Sequence, residues 1–127
     1  MFTDVFRPVP RGDVRAATRN LLTYHRREIL VPAGLGHLPL HITEHGCPTG
    51  EGRTPARQAE ILRDVIESVL DVHEELDVAV YELFSLRDAA SDRPGLFHQF
   101  GIMTDDYTPK PAFEIFRDLL VRAREDS

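Results

Sequence analysis

Cysteine, tryptophan and long apolar runs are scarce or missing in this sequence, and each absence excludes a class of protein. The chain has one cysteine, Cys47, which excludes an intramolecular disulfide and a cysteine-rich zinc site. No run of about 18 apolar residues occurs, so no transmembrane helix is expected. The first residues do not show the pattern of a signal peptide, in which a charged segment is followed by an apolar one. We therefore expect a cytoplasmic protein without membrane contact.

Positive charge is also scarce. The chain has 15 Lys and Arg residues against 21 Asp and Glu, which gives a formal net charge of −6, and the basic residues form no stripe. Nucleic acid is therefore not an expected partner. No internal repeat, low-complexity segment or phosphate-binding glycine pattern occurs. What remains is an ordinary globular composition, with 42% hydrophobic residues and enough chain for one compact core.

The spacing of apolar residues predicts three helices and two strands. Asp13 and Thr54-Pro55 are typical helix starts, because Asp and Thr side chains cap backbone N–H groups and Pro fits the first helical turn. Stretches rich in β-branched and aromatic residues predict the strands. Helical connections require the two strands to be parallel, so the fold class is α/β. The predicted elements are a helix over 13–31, a strand over 38–44, a helix over 55–75, a strand over 77–84 and a helix over 111–124.

The first predicted helix carries a wide apolar stripe. Its apolar residues recur at a spacing of three to four, which predicts a single buried side. The predicted stripe consists of Val14, Ala17, Leu21, Leu22, His25, Ile29 and Leu30.

Glu44 is the first candidate for a functional residue. It ends the first predicted strand, and Gly46 and Pro48 prevent a regular continuation. Ligands of parallel α/β folds collect at the carboxyl ends of strands, which is where this carboxylate is expected. Leu40, Ile42 and Glu44 share one parity, so their side chains are predicted to point to the same face.

Four separated blocks of the sequence resemble the last third of clan A glycoside hydrolases, which are (β/α)8-barrel enzymes such as cellulases, β-mannanases and related β-glycosidases. The blocks have the order and spacing of that family and cover most of the chain from about Pro39 onward. They are 42–50 (ITEHGCPTG), 54–58 (TPARQ), 81–88 (YELFSLRD) and 100–113 (FGIMTDDYTPKPAF).

The resemblance implies a carboxyl-terminal portion of a (β/α)8 TIM barrel, present as a single partial-barrel domain over 1–127. A complete barrel needs about 250 residues, so the chain is about half of one or less. Glu44 corresponds to the nucleophile of a retaining β-glycosidase, which works with a second carboxyl group about 5 Å away. No cofactor and no metal are expected. The residues expected to bind substrate are His45, Tyr81, Glu82, Arg87 and Asp88.

The acid/base residue of the family is missing from this chain. In the family it is a Glu preceded by Asn, whereas the one asparagine here, Asn20, precedes Leu21. Two positions where the family often has aromatic residues for sugar stacking hold Cys47 and Leu83. The chain is therefore predicted to be inactive alone and to hydrolyse O-glycosyl bonds only if a partner or a missing half completes the site.

Two other functions stay open. The first is a non-catalytic remnant that binds carbohydrate or serves a structural role. The second is a small metalloprotein, because His41, Glu44 and His45 match the H-x-x-E-H zinc pattern. That pattern requires a helix, and Pro39 and Gly46 bracket a β-branched run, so the metal site is the less favoured alternative.

The expected partners follow from the partial barrel. Unpaired parallel edges and exposed apolar faces favour association. We therefore expect a homo-oligomer or a separately encoded amino-terminal half, with carbohydrate as the ligand.

Overall fold

The computed structural model describes residues 11–125, with side chains from Asp13 onward. Residues 1–10 and 126–127, which belong to the predicted domain over 1–127, lie outside the described residues. The elements are α1 (Arg11–Tyr24), which continues as a π-helical segment (His25–Leu30), β1 (Leu40–His45), α2 (Pro55–Leu76), β2 (Val78–Leu83), a 3-10 turn (Leu96–His98) and α3 (Pro111–Glu125).

The helices and strands follow one another in the predicted order, and their ends have local causes. The strand begins at Leu40 and not at residue 38 because Pro39 has no N–H to donate to a neighbouring strand. Helix α2 begins after Thr54, whose hydroxyl oxygen accepts a hydrogen bond from Arg57 N at 3.1 Å. It ends at Leu76, and the capping residue that follows, Asp77, has a left-handed φ of 50°.

Strands β1 and β2 form a two-stranded parallel sheet, and α2 is the crossover between them. All three helices pack on one face of this sheet. Leu22 of α1, Val69 of α2 and Val78 of β2 share one core cluster. Further along, Leu62 of α2 and Ala112 of α3 lie in a second cluster. Two strands do not close a barrel.

The pairing of the strands decides which face Glu44 occupies. The register shifts between Ile42 and His45, where β1 contains an extra residue relative to β2. Ile42 packs against the helix-side core, and His45 is fully buried, while Glu44 between them is exposed. The prediction that Leu40, Ile42 and Glu44 share a face is therefore wrong for Glu44, because the irregularity turns its side chain to the open face of the sheet.

Helix α1 and the π-helical segment that continues it bury a narrower side than the predicted apolar stripe. The buried side chains are four residues apart and include two polar residues: Val14, Thr18, Leu22 and Arg26. Leu21 is 50% exposed and Ile29 is 43% exposed, although both belong to the predicted stripe. The apolar surface of α1 and of its π-helical continuation is thus larger than the rest of residues 11–125 covers.

Arg26 connects the π-helical segment to the end of α2. Its guanidinium donates to Leu76 O at 2.9 and 2.7 Å and to Leu38 O at 2.7 Å. A third acceptor, Gly36 O, lies at 3.1 Å. The last carbonyl groups of a helix have no intrahelical donor, so this buried cation satisfies them and complements the helix dipole.

Both outer edges of the sheet are open in the part of the chain that the structure describes. Neither β1 nor β2 pairs there with a further strand. The β1-edge groove, of about 410 Å³, lies between β1 and the exposed side of α1 at Leu21 and His25. The β2-edge groove, of about 310 Å³, lies beside Val78 and Val80. Among the described helices, none combines the length and apolar character that a membrane crossing needs.

Candidate functional site

The loops that carry the candidate site leave the carboxyl ends of both strands. The β1–α2 loop spans 46–54, and the β2–α3 loop spans 84–110. Glu44 lies at this end of β1 with an exposed side chain. Glu82 is exposed on β2 between Tyr81 and Leu83, which both pack towards the helices. Glu44 and Glu82 are thus carboxylates on the open face of the sheet.

His45 and Tyr81 form a hydrogen-bonded pair on the opposite, helix side. The two side-chain atoms, His45 Nδ1 and Tyr81 Oη, are 2.6 Å apart. Burial lowers the pKa of His45 to about 3 and raises the pKa of Tyr81, so both groups are neutral at pH 7. Their position favours holding the carboxyl end of β1 over direct contact with a sugar, which was the role predicted for them.

The two strand ends approach each other closely at Gly46. Phe84 N donates to His45 O at 2.7 Å, and the peptide bond between Phe84 and Ser85 is cis. A Cβ at Gly46 would collide with the carbonyl oxygen of Phe84 and with the Phe100 ring. Only glycine allows this approach, so the Gly46 that ends the strand also fixes the distance between the loops.

Asp88 belongs to a buried ion pair. Its Oδ1 accepts from Lys110 Nζ at 2.8 Å and from Gly101 N at 2.8 Å, and its Oδ2 accepts from the Ser91 hydroxyl at 2.9 Å. Lys110 also donates to Thr49 Oγ1 at 2.9 Å. Asp88 is 1% exposed, so the carboxylate predicted to bind substrate instead ties the two loops together through the single lysine of the sequence.

Arg87, by contrast, is exposed at the surface of the β2–α3 loop. It donates to Asp105 O at 3.0 Å, and its guanidinium lies 5.1 Å from the centre of the Tyr107 ring. This is a cation–π contact at the surface of the β2–α3 loop. Of the six predicted site residues, Glu44, Glu82 and Arg87 are therefore accessible, and the other three are buried or pack into the core.

The helical zinc pattern is not formed. His41 and Glu44 are exposed, whereas His45 is buried on the helix side of the sheet. Within residues 11–125, no three His, Cys, Asp or Glu side chains converge in a way that would hold a metal ion.

Three aromatic residues near the site were not identified from the sequence. Phe84 follows β2 and packs edge-to-face against Phe100, with ring centres 5.4 Å apart. Phe97 is 66% exposed and Tyr107 is 59% exposed on the β2–α3 loop. Leu83, the position considered for a stacking residue, packs instead against the α3 side of the core. Irregular loops give no periodic signal, so only the aromatic composition of 96–107 could have indicated Phe97 and Tyr107, whereas Phe84 belongs to the strand predicted over 77–84.

Gln58 was also missed as a supporting residue. Its side-chain amide donates to Cys47 O at 2.8 Å and to Gly101 O at 3.0 Å, one acceptor in each loop. The only sequence signal is a polar residue on the buried face of α2, and Asp64 and Ser68 on the same face give that signal too.

Solved glycosidase structures contain a segment with this fold. A β-glucuronidase from an uncultured Clostridium species matches 94% of this chain and 21% of its own, with a TM-score of 0.66 and 16% identity. The GH2 β-galacturonidase from Eisenbergiella tayi, bound to galacturonate, matches 94% of this chain and 22% of its own, with a TM-score of 0.64 and 24% identity. The β-glucuronidase from Dictyoglomus thermophilum has a TM-score of 0.66 and 13% identity over 94% of this chain and 21% of its own.

No protein-family model and no curated protein matches the chain. The chain spans about a fifth of the length of the solved structures that it matches. These likenesses establish the α/β fold of the chain.

Proposed function

We propose that this chain is the carboxyl-terminal part of a (β/α)8 barrel of a retaining β-glycosidase and that Glu44 is its nucleophile. In this proposal β1 and β2 are the last two barrel strands. The remaining strands come from a separate amino-terminal half, a second copy of the chain or further residues of the same protein. The 127 residues alone bind the reacting sugar incompletely and do not turn it over.

The observation that carries the proposal is the exposed position of Glu44. Leu40, Ile42 and His45 of the same strand lie on the core side, and the register shift turns Glu44 out at the carboxyl end. A buried, hydrogen-bonded pair directly beside it, His45 and Tyr81, holds the backbone. An exposed carboxylate on a rigid strand end is what a nucleophile requires.

The chemistry would take two steps. The Glu44 carboxylate attacks the anomeric carbon and forms a glycosyl ester, while the glycosidic C–O bond breaks and a carboxylic acid protonates the leaving oxygen. The carboxylate left by that acid then takes a proton from water, and the water oxygen attacks the anomeric carbon, which breaks the ester, releases the sugar and restores the Glu44 carboxylate. The acid must lie about 5 Å from the nucleophile, and the Asn-Glu that supplies it in the family is absent here.

The open edges support completion by further strands. The β1-edge groove and the β2-edge groove lie along the two strands, and apolar residues such as Leu21 remain half exposed. An exposed parallel edge beside apolar surface favours pairing with another strand. Light scattering of the purified chain at micromolar concentration tests the self-pairing form of this proposal, and a clean monomer would contradict that form.

A trapping experiment tests the role of Glu44 without needing the missing acid. A 2,4-dinitrophenyl 2-deoxy-2-fluoro-β-glycoside has a leaving group that departs unprotonated, so it should esterify the nucleophile directly. We expect a mass increase of one glycosyl group, mapped to Glu44, in the chain alone or in a chimera with the preceding strands of the Eisenbergiella tayi enzyme. We expect no turnover of p-nitrophenyl β-glycosides by the chain alone.

The matched control is Glu82→Gln, which changes a carboxylate on the same open face. Labelling should persist in this variant and vanish in Glu44→Gln. A label on any other residue, or no label in either the chain or the chimera, would refute the nucleophile. Binding of sugars without any label would instead favour the non-catalytic, carbohydrate-binding alternative, which the exposed rings of Phe97 and Tyr107 support.

A further inference from the structure

A cleft of about 660 Å³ with several polar and charged lining residues lies between the two loops at the carboxyl ends of the strands. This volume is within the range of roughly 300 to 1,000 Å³ that is usual for small-molecule sites. Glu44 does not line it. Its lining includes Thr49, Gly50, Glu51 and Arg53 from the β1–α2 loop, and Asp92, Arg93 and Gln99 from the β2–α3 loop.

The walls of the cleft are held in place by hydrogen bonds. Thr49 N donates to Gln99 O at 2.9 Å, which joins the two loops directly. Gly50 and Arg53 exchange two backbone hydrogen bonds of 3.0 and 2.9 Å and form a tight turn. Beneath them, Lys110 binds both Thr49 and Asp88. The cleft is therefore formed by this chain's own residues and does not depend on the missing barrel strands.

The lining offers hydrogen-bond donors and acceptors in balance. Arg53 and Arg93 give the lining two positive formal charges, and Glu51 and Asp92 give it two negative ones, so the formal charges cancel. Gln99 adds a side-chain amide nitrogen with two N–H groups, one of which donates to Arg93 O at 3.2 Å. Such a lining disfavours an ion and suits hydroxyl groups, each of which donates and accepts.

Glycine leaves the backbone of one wall open to a ligand. Gly50 has a φ of +125°, and a Cβ there would lie 3.6 Å from Gln99 Oε1. A side chain at this position would be strained and would narrow the cleft beside the Gln99 amide.

We infer that this cleft binds an uncharged saccharide unit and is a subsite for a part of the substrate remote from Glu44. The ligand class rests on the proposed function, whereas the site itself rests on the two loops. Binding should therefore be measurable with the 127-residue chain and should not require the acid/base residue.

Titration of the ¹⁵N-labelled chain with cellobiose, followed by amide chemical shifts, tests the inference. We expect saturable shifts of amides in 49–53 and 92–99 at millimolar cellobiose. Gln99→Leu and Arg93→Ala should each weaken the affinity by about three- to tenfold, because each removes hydrogen bonds to hydroxyl groups. Arg124→Ala, an exposed arginine in the last turn of α3 at the opposite end of the strands, is the matched control and should leave the affinity unchanged.

A parallel titration with sodium glucuronate at matched ionic strength separates a neutral from an anionic ligand. Equal or stronger shifts with glucuronate would overturn the inference, as would shifts outside the two loops or no shifts with cellobiose. Glu44→Gln should bind cellobiose like the unaltered chain. Cleft binding without labelling of Glu44 would refute the glycosidase proposal alone, and labelling without cleft binding would refute the subsite alone.

Discussion

Removal of the single lysine should destabilise the whole loop region, because Lys110→Met leaves a buried carboxylate without its cation. Asp88 is 1% exposed and Lys110 is 8% exposed, so water cannot replace the lost ammonium group. Asp88 would keep only the hydrogen bonds from Gly101 N and the Ser91 hydroxyl. Thr49 Oγ1 would lose the donor that now links its loop to the pair.

The expected loss of unfolding free energy is about 3 to 5 kcal/mol, the usual cost of breaking a buried pair by removing one partner. A domain of this size has a stability of about 5 to 15 kcal/mol, so the variant should lose a large share of its stability. With a urea m-value of about 2 kcal/mol per molar, the midpoint of unfolding should fall by roughly 2 M.

Urea unfolding followed by circular dichroism measures this change. The double variant Asp88→Asn with Lys110→Met removes both charges and should recover a substantial part of the lost stability. A loss below about 1 kcal/mol in Lys110→Met, or a double variant no more stable than the single one, would refute the reasoning that an uncompensated buried charge causes the effect.

Three further predictions follow from the buried groups. Arg26→Met should lower the free energy of unfolding by about 2 to 4 kcal/mol, measured by thermal unfolding, because it leaves helix-end and loop carbonyl groups without their donor. Its control is Arg27→Ala, which removes an exposed ion pair and should cost less than about 1 kcal/mol. Similar losses in both variants would show that the Arg26 hydrogen bonds to these carbonyl groups contribute little. His45 has a folded pKa of about 3 against an ordinary value of 6.5, so the unfolded chain binds the extra proton and stability falls as the pH drops from 6.5 towards 3, by up to about 1.4 kcal/mol per pH unit. Urea unfolding at several pH values measures how the free energy of unfolding depends on pH, and this dependence should be weaker in His45→Gln. Equal dependence on pH in both proteins would exclude His45 as the cause. Gly46→Ala should cost at least about 2 kcal/mol through the collision with Phe84 O, and unchanged stability would show that the strand ends can separate.

Local signals in the sequence determined much of the architecture. Thr54-Pro55 marks the start of α2 because a cap and a proline act within one turn. The apolar period of α2 is regular because this helix is covered by α1, α3 and the sheet. The prediction of an α/β fold is confirmed by the solved structures. The barrel, the nucleophile and the partners stay predictions.

The site depended on contacts that no local pattern contains. Glu44 reaches the open face only because β1 has an extra residue relative to β2, and pairing between strands far apart in sequence creates that irregularity. In the same way, Asp88 became a structural residue because Lys110, 22 residues away, neutralises it in the core.

The sequence by itself determined the order of helices and strands, since capping and periodicity act over a few residues. The tertiary structure alone decided which side chains are accessible. His45 and Glu44 are neighbours in the chain, yet one is fully buried and the other is exposed. Burial depends on which surfaces the strand pairing and helix packing bring together, and those contacts are non-local.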